Sequence, residues 1–143
     1  MTDIYVVGFD GTAHASRALD YASARAKKSG AKLHLVYVLE WSPFSFHTPE
    51  ELAERHGRRE EELARAQSVL QPVVDALTAE GVTTTSEVRH GHAGELMCEI
   101  AKDKKAAQIV IGRTGESALT QRLLGGLALT LAQASPVPVT IVP

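Results

Sequence analysis

Several features that are common in secreted, membrane-bound and nucleic-acid-binding proteins are scarce in this chain of 143 residues. Its single cysteine cannot form an internal disulfide or supply a multi-cysteine metal site. No apolar run approaches the roughly 20 residues that a membrane helix needs, and the N-terminus lacks the charged-then-apolar pattern of a secretory signal. Lys and Arg (15) nearly balance Asp and Glu (17), which argues against a nucleic-acid-binding surface. These absences predict a cytoplasmic protein that binds neither membranes nor nucleic acid.

The composition that remains is that of one folded domain. Hydrophobic residues make up 44% of the chain, enough for a core, and charged residues make up 22%, as on a soluble surface. The length is also typical of a single domain, which we therefore predict to cover residues 1–143.

Apolar segments in the first 40 residues alternate between strand and helix patterns. Residues 4–9 are apolar on both faces, which is typical of a buried strand in a parallel sheet. Small apolar residues then recur at helical spacing over residues 15–29, and a second apolar run covers residues 33–39. This order predicts a βαβ unit.

The rest of the chain repeats the alternation. Residues 50–80 have a helical pattern, in which Pro72 is predicted to kink or divide the helix because proline lacks a backbone donor. Residues 83–88 alternate weakly, as in a strand near the edge of a sheet. A third helix is predicted from Ala93, and it is followed by a short strand at residues 108–111.

The C-terminal segment contains a final helix and a final strand. Leucines at 123, 124, 127 and 131 mark the helix, and residues 137–142 form the strand, which contains Pro138. Strands that alternate with helices predict a mostly parallel sheet covered on both faces. Because an apolar edge strand is prone to aggregate unless something pairs with it, we predict a homodimer formed through this last strand.

A glycine-rich connection follows the fourth strand. Residues 111–128 read IGRTGESALTQRLLGGLA, with glycines at 112, 115, 125 and 126. Open α/β sheets bind ligands beyond the carboxyl ends of their strands, and a helix N-terminus favours phosphate. Arg113 and Arg122 would add positive charge, whereas Glu116 would oppose an anion unless it turned away. The segment predicts a phosphate site, or else a simple turn in which Leu123 and Leu124 begin a core helix.

With these residues in view, the chain from Ile4 to Val142 resembles the universal stress protein family. The matching segments are GFDGT, where the family commonly has PVDGS, the strand LHLVYV, and the RHG step at residues 89–91. The most specific segment is IVIGRTGESALTQRLLGGLALTLAQASPVPVTIV, which follows the family's G-x2-G-x9-G-[S/T] nucleotide motif.

The resemblance implies a Rossmann-like, adenine nucleotide alpha hydrolase-like α/β fold, in which five parallel strands have the order 3-2-1-4-5 and helices cover both faces. It also implies a site for ATP or AMP, with Mg²⁺ as an accompanying ion. Asp10 would contact the adenosine, with Gly8 and Phe9 beside it, and Val38 would line the adenine pocket. The phosphates would be surrounded by residues of the glycine-rich connection, namely Gly112, Arg113, Gly115, Gly125, Gly126 and Leu127.

The sequence departs from the family motif at Gly126, where the family has serine or threonine. Loss of a hydrogen bond to a charged group costs about 1.5–3 kcal/mol, or roughly ten- to a hundredfold in affinity. Nucleotide binding is then weakened, shifted toward AMP or ADP, or absent.

Three functions remain open at this stage. The resemblance implies a non-enzymatic, nucleotide-binding regulator of the stress response, whose protein partner the sequence does not identify. The alternatives are an interaction module that no longer binds nucleotide and a slow ATP hydrolase. A Walker-type lysine, an evident general base and a Mg²⁺ carboxylate pair are all missing from the sequence, which ranks the hydrolase last.

Two further groups of side chains follow predicted strands. The first is three histidines, which either touch a phosphate or metal or occupy solvated turns: His14, His90 and His92. The second is an aromatic cluster, which covers a ligand, binds a partner or folds onto its own helix: Trp41, Phe44 and Phe46.

Overall fold

The computed structural model describes residues 2–40, 48–113 and 126–143. In this part of the chain five strands alternate with four helices. They are β1 (Ile4–Gly8), α1 (Ala13–Ser29), β2 (Lys32–Glu40), α2 (Pro49–Ala79), β3 (Thr84–Gly91), α3 (Ala93–Asp103), β4 (Gln108–Gly112), α4 (Gly126–Ala134) and β5 (Val139–Val142). None of these helices is both long and apolar enough to span a membrane.

All five strands form one parallel sheet with the order β3-β2-β1-β4-β5. The five-stranded order implied by the family resemblance is therefore confirmed. β1 is central, and the weakly alternating β3 is at one edge, as its pattern predicted. β5 is at the other edge. After β1 the chain forms β2 and β3 on one side of it, and then β4 and β5 on the other side.

Helices cover both faces of the sheet, and this explains why the central strand is apolar throughout. Tyr5 and Val7 pack in one core layer with residues of α1 and α2. Val6, which points to the opposite face, packs with residues of α3 and α4. A side chain of this size contributes about 1.5–3 kcal/mol when fully buried, so burial on both faces holds β1 at the centre.

The turn from β1 into α1 is set by two residues. Gly11 has a φ of 82°, a conformation that glycine adopts without the steric cost that other residues meet. Thr12 then acts as the N-cap, because its side-chain oxygen accepts a hydrogen bond from the amide of Ala15 at 3.3 Å. This turn starts α1 directly beside the end of β1.

Two prolines differ from expectation. α2 runs undivided through Pro72, so of the two expected outcomes the division is wrong, while a kink stays a prediction. Leu70 and Leu77, on either side of it, are both buried in the core, and their burial offsets a cost of roughly 3 kcal/mol for a proline within a helix. Pro138 precedes β5 rather than lying inside it. It has no amide hydrogen to donate, but its carbonyl accepts from the amide of Ile109 at 2.9 Å.

A polar cluster connects β2 to the edge strand β3. The buried ring of His34 lies 2.6 Å from Oγ1 of Thr85 through Nδ1 and 2.7 Å from Oε1 of Glu87 through Nε2. Burial lowers the pKa of His34, although the hydrogen bond to Glu87 acts in the opposite direction. For Glu87, burial acts to raise the pKa, but the bonds from His34 and Arg89 outweigh it and the pKa is lowered. A neutral imidazole that donates from Nε2 to a carboxylate satisfies these contacts.

Candidate functional site

A cleft of about 270 Å³ opens at the carboxyl ends of β1 and β4. At this point the sheet continues through β2 on one side and through β5 on the other, so the connections leave β1 and β4 in opposite directions. Such a switch point is where open α/β sheets bind ligands. The volume is near the lower end of the range for small-molecule sites.

Eight of the ten site residues predicted from the sequence line this cleft. They are Gly8, Phe9, Asp10, Val38, Gly112, Arg113, Gly126 and Leu127. The other two, Gly115 and Gly125, lie outside the described residues, as do Glu116, Arg122, Leu123, Leu124 and the aromatic cluster of Trp41, Phe44 and Phe46. The structure thus brings together residues that are more than 100 positions apart in sequence. Their roles in binding stay predictions.

Asp10 is held at the cleft by the cap of α1. Its Oδ1 accepts hydrogen bonds from the amide of Thr12 at 3.0 Å and from the hydroxyl of Thr12 at 2.6 Å. The same hydroxyl oxygen accepts from the amide of Ala15, so one short network fixes both the helix start and the carboxylate. The negative charge lies near the positive end of the α1 dipole, which favours it.

Two glycines allow close packing beneath the cleft, one against backbone and one against a side chain. A Cβ on Gly112 would lie 3.0 Å from the carbonyl oxygen of His14, in the first turn of α1. A Cβ on Gly8 would lie 3.2 Å from Cγ2 of Ile111 on β4. Side chains at these positions would push β4 away from β1 and α1, so the glycines preserve the geometry of the cleft floor.

The N-terminus of α4 forms the other wall. Gly126, Leu127 and Ala128 line the cleft at the first turn of this helix. The first amides of a helix lack intrahelical partners, and the helix dipole is positive there. Apart from the chain neighbours of Gly126 and the backbone of α4 itself, no heavy atom of the described residues lies within 4 Å of a Cβ built on Gly126. This side of the cleft, with the exposed Arg113 nearby, can accommodate an anion.

Sequence reasoning missed eight residues that line the cleft: Thr12, Ala15, Val36, Glu40, Ala93, Met97, Ile111 and Ala128. A signal for two of them was present. Alternate residues of a strand share a face, so the placement of Val38 at the site also implied Val36 and Glu40. Ala93 and Met97 reach the cleft because α3 packs across the sheet, and nothing local in the sequence indicates that.

The three histidines do not line the cleft, whose described walls contain no histidine. Nδ1 of His14 accepts from Nη2 of Arg17 at 2.6 Å. Nε2 of His90 is buried and has no hydrogen-bond partner in the described part of the chain, and burial, assisted by the charge of Arg59, lowers the pKa of this ring. His92 is exposed immediately before α3. In the described ranges there is also no group of three or more His, Cys, Asp or Glu that could hold a metal ion.

The sheet order defines a doubly wound α/β protein, and the cleft lies at its switch point, where proteins of this class bind ligands. The family model described as "Universal stress protein family" matches residues 1–143. The chain belongs to the universal stress protein family.

Individual relatives agree with this assignment. A universal stress protein of Methanocaldococcus jannaschii is 29% identical over 144 residues, which cover 96% of this chain and 79% of that protein. UspA from Lactobacillus plantarum has a similar fold, with a TM-score of 0.86, 21% identity, and coverage of 99% of this chain and 97% of that one. A universal stress protein crystallised in complex with cAMP has a TM-score of 0.69 and is 27% identical, covering 99% of this chain and 96% of that one.

Proposed function

We propose that this protein is a cytoplasmic, homodimeric regulator of the stress response that binds an adenine nucleotide, either AMP or ATP, and is not an enzyme. The observation that carries the proposal is the cleft at the switch point, where a carboxylate, an apolar strand end and the N-terminus of α4 converge. The complex of a 27% identical family member with cAMP supports the choice of ligand.

The cleft has a suitable group for each part of a nucleotide. Val38 offers an apolar surface to the base. Asp10 already uses Oδ1 for its bonds to Thr12, so Oδ2 can accept from a ribose hydroxyl. The amides at the start of α4 and the guanidinium of Arg113 face the phosphates. For ATP, Mg²⁺ would be held chiefly through the phosphate oxygens, because the described residues supply no cluster of metal ligands.

The proposed dimer connects ligand binding to regulation. β5 is an edge strand, and all four of its residues are half-buried. A second copy paired along this edge would satisfy its open backbone groups. α4, which lines the cleft, leads directly into β5. A nucleotide can shift the partner-binding state only if it binds one state better than the other, and this short connection supplies a route for such a difference.

The direct test is calorimetric titration of the purified chain with AMP and with ATP plus Mg²⁺. Asp10→Asn keeps the oxygen that accepts from Thr12 but removes the charge offered to the ribose. We expect AMP affinity to fall about tenfold in this variant. Asp103→Asn is the matched control, since Asp103 is exposed at the far end of α3, about 15 Å along the helix from its start. Its AMP affinity should equal that of the wild type.

Absence of any heat of binding and of any thermal shift with either nucleotide would refute nucleotide binding and favour the interaction module. Turnover of ATP that Asp10→Asn abolishes would instead favour the hydrolase. Light scattering measures the oligomer in the same samples, and we expect twice the mass of the chain. A monomer at micromolar concentration would contradict the dimer.

A further inference from the structure

Charged residues follow three adjacent strands at the rim of the cleft. Glu40 ends β2, Asp10 follows β1, and Arg113 follows β4, and all three line the cleft. Neighbouring strands are about 4.8 Å apart, so the ends of β2 and β4 are separated by roughly 10 Å across β1. The cleft therefore has an acidic end at β2 and a basic end at β4.

The acidic end is otherwise apolar. Val36, Val38, Met97 and Ala93 line it, and Glu40 is the charged side chain among the described residues there. A flat apolar group such as a nucleobase fits these surroundings better than a phosphate, which the negative charge would repel. The strand order thus orients a nucleotide with its base toward Glu40.

A contact with α3 positions the carboxylate of Glu40. Its Oε1 accepts from the amide of Ala93 at 3.4 Å. His92, the N-cap of α3, makes no side-chain capping bond, so Glu40 takes over part of that function from the neighbouring strand. The bond is long, and a carboxylate has acceptor sites on both oxygens. Glu40 can accept a further hydrogen bond while it stays beside α3.

Provided that the proposed nucleotide function is right, we propose that Glu40 selects the base of the ligand and favours a base that carries an exocyclic amino group. An ionised carboxylate only accepts hydrogen bonds. The amino group of adenine donates, and would be stabilised beside Glu40. The keto oxygen of hypoxanthine is an acceptor, and would be repelled by the same carboxylate.

The test compares AMP with two purine nucleotides altered at the carbon that bears the amino group; in IMP the adjacent N1 also gains a proton, whereas purine riboside 5′-monophosphate leaves N1 unchanged. IMP replaces the amino group with a keto oxygen, and purine riboside 5′-monophosphate has hydrogen there. We expect the wild type to bind AMP about tenfold more tightly than IMP, the lower end of the range for a hydrogen bond to a charged group because Glu40 is exposed. Purine riboside monophosphate should be intermediate, since it loses the bond without gaining the repulsion.

Glu40→Gln removes the charge, keeps an acceptor for Ala93, and supplies an amide donor that a keto oxygen can use. We expect the preference for AMP over IMP to fall to about twofold or less in this variant. Glu95→Gln is the matched control: it makes the same change in the first turn of α3, at an exposed residue that does not line the cleft. It should keep the full preference. Thermal melting of each variant confirms that it is folded.

The outcomes separate this proposal from the one on which it rests. If the wild type binds AMP and IMP equally, nucleotide binding stands and selection by Glu40 is wrong. An unchanged preference in Glu40→Gln would also overturn it, because another group would then read the base. Failure of all three ligands to bind would remove the nucleotide function itself.

Discussion

Gly94 in α3 determines how closely α3 and α4 pack, and its replacement should change the geometry of the cleft. A Cβ on Gly94 would lie 2.5 Å from Cγ2 of Thr130 and 3.2 Å from its Cβ. Ordinary contacts between such atoms are about 3.5–4.0 Å, so Gly94→Ala requires α4 to retreat by about 1 Å or Thr130 to change rotamer.

The expected magnitude is a balance of two effects. Overpacking costs about 1–3 kcal/mol, while replacing glycine by alanine in a helix gains up to about 1 kcal/mol. We therefore expect Gly94→Ala to lower the free energy of unfolding by about 1–2 kcal/mol. It should also weaken AMP binding, because α4 carries Gly126 and Leu127 at the cleft.

A double-mutant cycle tests the cause. Thr130→Ala removes the clashing methyl group, so Gly94→Ala should be neutral or stabilising in that background. Urea unfolding of the four proteins measures the coupling, and titration with AMP measures the effect on the site. Equal destabilisation by Gly94→Ala with and without Thr130 would refute the reasoning, since the cost would then not come from this contact.

Two more predictions concern the missing hydroxyl and the buried histidine. Among the described residues Gly126→Ser meets open space, and it restores the motif's hydroxyl, so AMP should bind about tenfold more tightly. Gly126→Ala should not improve binding, and equal gains in both variants would contradict a hydrogen bond. The pKa of His34 is lowered in the folded protein, so as the pH falls through 6.5 the unfolded chain takes up a proton before the folded chain does. The free energy of unfolding therefore decreases below that pH, by up to about 1.4 kcal/mol per pH unit. Urea unfolding at pH 7.5 and 5.5 should show a smaller loss in His34→Gln, and an identical loss would exclude His34 as the source.

Much of the fold could be predicted because apolar patterns reflect burial directly. The run at residues 4–9 is apolar on both faces because α1 and α2 cover one face of β1 and α3 and α4 the other. The order of the strands came from the family resemblance, since periodicity does not say which strands are neighbours. A division of α2 at Pro72 was expected because the local cost of proline is visible in the sequence, whereas the burial of the helix on both sides of it is a tertiary property.

The candidate site was predictable where its backbone geometry requires glycines or turn residues, because these are visible in the sequence. Gly112 is recognisable because only a residue without a side chain allows the close approach to the backbone of His14. No such sequence pattern indicates that Glu40 belongs to the site. It becomes part of the site through the register of β2 and the packing of α3. From the sequence alone, a glutamate at the end of an apolar strand predicts only a solvent-exposed turn.

The first turn of α3 contacts residues at both ends of the cleft, so a small shift of this turn would alter both ends. The amide of Ala93 bonds to Glu40 at the acidic end, and the next residue, Gly94, packs on Thr130 of the helix that forms the basic end. A base that bonds to Glu40 and a phosphate that binds at the start of α4 would therefore act on adjacent residues of one helix. Since packed helices absorb little displacement by compression, we expect occupancy of either end to change the position of α3 relative to the other. Under the proposed function, α3 would thus respond to both ends of a bound nucleotide, and we expect the free base or phosphate alone not to satisfy both.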